Sequence, residues 1–240
     1  FNRGKKKKNR TRGSDIRVNV RINIHEIFTG ITKKIKYKKK ERCNSCNGRG
    51  GKSTPCNQCK GGGVLIQVQN TPFGRVQNTI SCPNCGGEGN ILIEKCINCV
   101  GQGINKKEEI IEFNIPPGIR EGEILVIPAK GNSIKNGVTG DLLVNIVEIP
   151  HPKFNRSGLD IHQRLNLKYK DLVLGSPIEI DTLNGKIRIN IKEGTQIGHI
   201  LRIPLKGLKR ENIWGDMLVE VWLEIPTKVK NEEKIIIEQL

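Results

Sequence analysis

Aromatic side chains make up only 4% of this 240-residue chain, which leaves few of the stacking platforms that single-stranded nucleic-acid binders use. No run approaches the roughly 18–20 consecutive apolar residues of a membrane span, and the N-terminus lacks the apolar core of a secretory signal. The expectation is a soluble, cytoplasmic protein with no membrane partner. Histidine is rare as well. His25, His151, His162 and His199 stand in unrelated sequence contexts without a nucleophile or acid partner, so no catalytic set is expected and the chain does not read as an enzyme. Acidic residues are outnumbered, 24 against 41 basic ones, for a formal net charge of +17.

That charge is concentrated. Arg3, Lys5 to Lys8, Arg10 and Arg12 place seven basic groups and no acid in residues 1–12, and residues 31–42 carry seven basic groups against the single acid Glu41. Without these two runs only +4 of the +17 remains. The first run has the composition of a disordered basic tail or linker. Hydrophobic content of 35% suffices for several modest cores, and Ile and Val fall in short alternating stretches, which points to sheets rather than helices.

All eight cysteines occur as Cys-x-x-Cys pairs within one motif repeated four times: CNSCNGRG (Cys43, Cys46), CNQCKGGG (Cys56, Cys59), CPNCGGEG (Cys82, Cys85) and CINCVGQG (Cys96, Cys99). Two intervening residues let a tight turn aim both sulfurs at one ion, and the glycines supply positive φ angles and close backbone approach. Eight thiols predict two zinc ions per chain, each closed by four sulfurs and therefore structural. A redox dithiol would need a βαβ context that is absent. Spacing alone does not choose the partners. The strand-like runs VLIQVQ (64–69) and VQNTI (76–80), however, flank a turn-rich loop and predict a hairpin. Closing it joins Cys56 and Cys59 with Cys82 and Cys85, and leaves Cys43 and Cys46 with Cys96 and Cys99 at the base.

Outside the cysteines the chain repeats itself. IPPGIREGEILVIPAKGN (115–132) answers IKEGTQIGHILRIPLKGL (191–208) at an offset of 76, and DIRVNVRINIHEIFTG (15–30) answers DIHQRLNLKYKDLVLG (160–175) at 145. GDLLVNIVEIP likewise answers GDMLVEVWLEIP. The larger offset means that the first copy is interrupted by roughly 69 residues, the cysteine module. The expected fold is mainly β: two tandem homologous β-sandwich or barrel domains, the first split by an elongated two-zinc module, with a short C-terminal helix. The boundaries read as a basic tail (1–12), a discontinuous first β-domain (13–42 and 104–152), the zinc module (43–103), a second β-domain (153–228) and a terminal helix (229–240). Strict alternation at Ile16, Val18, Val20, Ile22 and Ile24 predicts a strand with one buried face.

Four CxxCxGxG units between IRVNV and PPGI, followed by GDLLV, IPHPKF, an NGK turn and GDMLV, resemble type I J-proteins of the DnaJ family over nearly all 240 residues. The resemblance implies that the first β-domain binds unfolded client polypeptides as an added strand, with a shallow pocket matching Ile16, Ile35, Tyr37, Ile111 and Val144. Of these, Tyr37 looks least like a core residue because lysines flank it. The resemblance also implies a DnaK-type partner and a homodimer whose helix presents Ile235, Ile236, Ile237 and Leu240. The family's J-domain, with its His-Pro-Asp loop, is missing from these residues. The chain therefore reads as a client-binding co-chaperone fragment or a J-less relative, from which no stimulation of a DnaK-type ATPase is expected. The competing reading is a zinc-knuckle nucleic-acid-binding protein, for which the module offers Phe73 as its single aromatic.

Overall fold

The computed structural model describes residues 12–71, 74–135 and 137–228. The expected tail (1–12) falls outside them except for Arg12, and so do Phe73 and the expected dimerisation residues Ile235, Ile236, Ile237 and Leu240. At 52% strand and 5% helix the protein is mainly β.

The first copy opens with β1 (Ile16–Ile22), α1 (Ile24–Thr29) and β2 (Ile31–Arg42). The alternation that predicts a strand as far as Ile24 stops one turn earlier. Asn23 Oδ1 accepts the Glu26 N–H at 2.8 Å while Asn23 N donates to Glu26 Oε2 at 2.9 Å. This reciprocal capping box starts a helix, so Ile24 enters the core from α1 rather than from β1. After the cysteine module come β7 (Ile104–Ile115), β8 (Ile124–Ile127) and β9 (Leu142–Glu148). β1, β9 and β8 form one three-stranded sheet in that order, and β2 pairs with β7 in a two-stranded ribbon. Inside the module lie β3 (Gly51–Pro55), β4 (Val64–Thr71), β5 (Gly74–Ser81) and β6 (Asn90–Lys95), pairing β3 with β6 and β4 with β5.

The second copy runs through β10 (Phe154–Ser157), β11 (Asp160–Leu167), α2 (Tyr169–Val173), β12 (Ser176–Thr182), β13 (Gly185–Ile191), β14 (Ile200–Ile203), β15 (Lys209–Arg210), β16 (Ile213–Trp214) and β17 (Met217–Leu223). Its main sheet has the order β10-β11-β17-β14. Removing β10 leaves β11-β17-β14, the counterpart of β1-β9-β8. The repeat extends to single hydrogen bonds. Asp141 Oδ1 accepts from Ala129 N at 2.9 Å and Asp141 N donates to Asp15 Oδ1 at 2.7 Å. Asp216 does the same with Leu205 N at 2.9 Å and Asp160 Oδ1 at 2.7 Å. Ala129 and Leu205 hold left-handed φ angles of 58° and 59°, a costly conformation for non-glycine residues that the paired aspartates fix in both copies.

The copies differ where β2 leads toward β7. In the second copy the matching strands β12 and β13 close directly, with Thr182 opposite Gly185. In the first, the same hairpin end carries the whole cysteine module. By compactness the described residues fall into two units. One holds those up to Val18 with 35–111 and 125–144; the other holds 19–34, 112–124 and those from 145 on. The first unit contains the whole module. Apolar residues at alternate strand positions fill the interiors: Leu142 and Val144 in the first unit, and Ile22, Ile115, Ile161, Met217, Val219 and Val221 in the second, each at most 2% exposed.

Candidate metal centres and strand-binding edge

The module is a ladder. β3 and β6 form an antiparallel ribbon with Gly51 opposite Lys95 and Pro55 opposite Asn90, and β4 and β5 form a hairpin from Val64–Ser81 to Thr71–Gly74. Knuckles lie between β2 and β3, β3 and β4, β5 and β6, and β6 and β7, and this stacking brings the eight sulfurs into two groups, Cys43 with Cys46, Cys96 and Cys99, and Cys56 with Cys59, Cys82 and Cys85. Within each group the sulfurs lie within 4.8 Å of one another. The cross-pair Sγ···Sγ separations are 3.8 and 3.6 Å in the first group and 3.9 and 3.7 Å in the second. A tetrahedron with metal–sulfur bonds of about 2.3 Å has edges of about 3.8 Å, whereas a disulfide needs about 2.05 Å. The cross-pair separations match the edges of such a tetrahedron and not a disulfide, and the residues fit a thiophilic ion. The two groups could each bind one metal ion.

The glycines explain why the knuckles pair this way. Cys43 N donates to Gly103 O at 3.0 Å and Cys96 N to Gly50 O at 2.8 Å; Cys56 N donates to Gly89 O at 2.8 Å and Cys82 N to Gly63 O at 2.9 Å. Each knuckle thus hands its first cysteine amide to the last glycine of its partner. Those last glycines have φ between 73° and 88°. A Cβ on Gly50 would meet the Gly101 carbonyl oxygen at 2.3 Å, and one on Gly103 the Gly48 oxygen at 2.4 Å. Their own N–H groups, with those of Gly63 and Gly89, point at the second sulfur of each motif, all at 3.2 Å. Such donors favour thiolate. Donation from the Cys46 amide holds the Cys43 thiol down at about 7, and that from Cys59 does the same for Cys56. Burial pushes Cys82 and Cys99 up to about 11.

Of the residues matched to a client pocket, Ile16, Ile35 and Ile111 are half-buried, while Val144 is fully buried. All five lie in the first unit. Tyr37 differs from its sequence reading. Its ring is 7% exposed, and its Oη sits 2.8 Å from the Lys130 carbonyl and 3.0 Å from Glu109 Oε2. The flanking Lys36 and Lys38 point outward because successive strand residues face opposite sides. Burial, then the Glu109 hydrogen bond, raise the Tyr37 hydroxyl well above its usual range. Glu109 is pushed up by burial but pulled further down, to about 2, by Lys130, Lys39 and Tyr37.

The basic run of β2 is not a free cationic face. Lys34 pairs with Glu112 at 3.2 Å, Lys36 with Glu108 at 2.5 Å and Lys39 with Glu109 at 2.6 Å, all across the β2–β7 ribbon. The acids of KKEEIIEF lie more than sixty residues away in sequence, so a count over 31–42 misses them. The ion pairs offset part of the charge of this run and do not favour the nucleic-acid reading.

Sequence reasoning also missed that His25 and His151 meet. Their ring centroids are 5.6 Å apart, and His151 stacks on Phe154 at 4.9 Å and 18°. His151 Nδ1 accepts from both Lys153 N and Phe154 N at 3.2 Å, which makes it a cap for the chain entering β10. The IPHPKF string was the available signal. Among the described residues no helix is long and apolar enough to cross a membrane.

The family model for the DnaJ C terminal domain matches residues 16–226. A Chaperone protein DnaJ of Bacteroides thetaiotaomicron is 42% identical over 238 residues, covering 96% of this chain and 60% of that protein. Its namesake in Chlorobium limicola is 37% identical over 234 residues (95% and 58%), and that of Haloarcula marismortui 33% over 237 (96% and 62%). The chain thus spans about 60% of the length of these curated relatives.

Proposed function

The chain belongs to the DnaJ C-terminal domain family, and from that premise we propose that it is the client-holding part of a co-chaperone, without enzymatic activity. It binds exposed hydrophobic segments of unfolded polypeptides, limits their aggregation and presents them to a DnaK-type ATP-dependent chaperone in the cytoplasm. The observation that supports this most is the edge of β1. Among the described residues no strand lies on its outer side, and Ile16, Ile35 and Ile111 remain half-buried in the same unit. An edge offers sequence-independent main-chain hydrogen bonds, and a neighbouring apolar depression selects hydrophobic segments. Tyr37 and Val144 form the floor.

In this reading both four-sulfur groups hold zinc, one ion by Cys43, Cys46, Cys96 and Cys99 and the other by Cys56, Cys59, Cys82 and Cys85. Zinc there cross-links chain segments and keeps no open position for chemistry. The first β-domain comprises 13–42 and 104–152, the second 153–228, and a terminal segment with Ile235, Ile236, Ile237 and Leu240 joins two copies into a homodimer.

The 240-residue chain is expected to suppress aggregation of a chemically unfolded protein and to bind an apolar heptapeptide with an affinity that changes little between 50 and 300 mM salt. These residues contain no His-Pro-Asp sequence, so no stimulation of ATP hydrolysis by a DnaK-type protein is expected. Binding that collapses with salt would instead indicate phosphate-type contacts.

A further inference from the structure

Every knuckle places the residue after its second cysteine in the left-handed region and a glycine after that. Asn47, Lys60, Gly86 and Val100 have φ of 50°, 49°, 60° and 49°, and Gly48, Gly61, Gly87 and Gly101 follow them. Asparagine takes this conformation more readily than most side chains, and the glycine behind it is fixed by the motif, so the first knuckle carries an Asn-Gly pair. Such a pair is prone to close on itself, because the following residue has no Cβ to hinder its nitrogen from reaching the asparagine side chain. We infer that Asn47 is a deamidation site guarded by the outer four-sulfur cluster, so that a cluster that has lost its ion becomes chemically marked and does not refill. This rests on the reading that the four sulfurs hold zinc.

The chemistry needs only water. Gly48 N attacks Asn47 Cγ; a C–N bond forms, and the side-chain amide leaves as ammonia, taking up the Gly48 N–H proton. Water then opens the resulting succinimide at either carbonyl. One product is an aspartyl residue, and the other is an isoaspartyl residue whose main chain runs through the former side chain.

The closed knuckle opposes ring closure. Asn47 is exposed but Gly48 is buried. The Gly48 N–H donates to Cys43 O at 3.2 Å, and the Gly48 carbonyl oxygen lies 2.4 Å from where a Cβ on Gly103 would stand. Its nitrogen must lose that proton and turn toward Cγ, and both are hindered while Cys43 and Cys46 are tied to one ion. The open knuckle has no such restraint. Neither product can restore the original cluster. Gly50, three residues on, donates to Cys46 Sγ at 3.2 Å and accepts from Cys96 N at 2.8 Å. An isoaspartyl residue lengthens the chain leading to both contacts, and either product sets a carboxylate beside a group of thiolates, which like charge disfavours.

The test incubates the full chain under a thiol reductant, with excess zinc or with a chelator, and reads each Asn-Gly pair by peptide mass mapping. Asn47 is expected to deamidate about tenfold or more faster in chelator, since reaction proceeds only from the open knuckle. Asn184 and Gly185, in the β12–β13 turn of the other unit, serve as the reference and should change less than about twofold. Equal Asn47 rates, with metal analysis showing both ions removed, overturn the inference. In excess zinc, Cys43→Ser should speed Asn47 and Cys56→Ser should leave it slow; the reverse order overturns the assignment to the outer cluster. Asn47→Lys carries the residue of the second motif and forms no imide. After the same metal-free incubation it should take back two ions where the wild type takes back one, and equal loss in both overturns the marking. A wild type purified without metal sinks the zinc reading and the inference with it, whereas two ions with equal rates sink the inference alone.

Discussion

At the scale of the residue, Ile111 and Val144 separate surface from core. Ile111 is half-buried and Val144 fully buried, so the same substitution should act on different properties. Ile111→Asp is expected to weaken peptide binding by about 1–3 kcal/mol, roughly ten- to a hundredfold, with little change in thermal midpoint. Val144→Asp buries an unpaired charge and should lower the midpoint sharply; calorimetry and peptide titration on both variants check this. His151 gives a pH signature. Burial first, then His25 and Lys153, lower its pKa below 6.5, and neutral Nδ1 is what accepts the two amides. The folded state therefore binds fewer protons than the unfolded one, so this contribution is complete above the unfolded value and is lost as pH falls through the folded one. The thermal midpoint should decline from pH 7.5 to 5.5, and His151→Asn, which keeps an acceptor, should flatten that slope. A wild-type slope retained in the variant would assign it elsewhere.

Among the elements, the module's hairpin depends most on a single cluster. Val64, Ile66 and Val68 of β4 are 48–68% exposed, and a two-stranded hairpin with that much apolar surface in water has little stability of its own. Cys56→Ser should release one metal ion of two, raise the exchange rates of β4 and β5 toward those of an unfolded chain, and leave the β11 and β17 amides protected. Loss of protection across β17 would show that the cluster supports more than its own hairpin. The same elements show what the sequence could reveal. Period-two alternation gave the strands, and fourfold CxxCxGxG with a predicted hairpin at its centre made the nested knuckles readable. The capping box at Asn23 competes with an unbroken apolar alternation, and only the Glu26 contact decides for the helix. The β2–β7 ion pairs and the His25–His151 contact join residues 70 to 130 apart, beyond any local pattern. Burial of Tyr37 follows from which face of β2 turns inward, and its lysine-rich surroundings conceal that.

For the whole molecule, a hairpin end that closes in two residues between β12 and β13 has been opened in the first copy to admit a module that carries its own fastening. The insertion leaves the flanking sheet order unchanged, and the repeat stays visible on both sides of the interruption. Nesting has a further consequence in time. Cysteines facing each other across the inner cluster are 26 residues apart, those across the outer one 53. Closing the longer loop in an open chain costs about 0.6 kcal/mol more, but once the inner ion is seated and β3 lies on β6, the outer knuckles are already adjacent. Metal should therefore load from the tip toward the base. In a Co2+ titration of the apo-protein, thiolate charge-transfer absorbance from the one remaining cluster should develop with lower affinity in Cys56→Ser than in Cys43→Ser, and the second equivalent should bind the wild type more tightly than the first binds a chain whose inner cluster is broken.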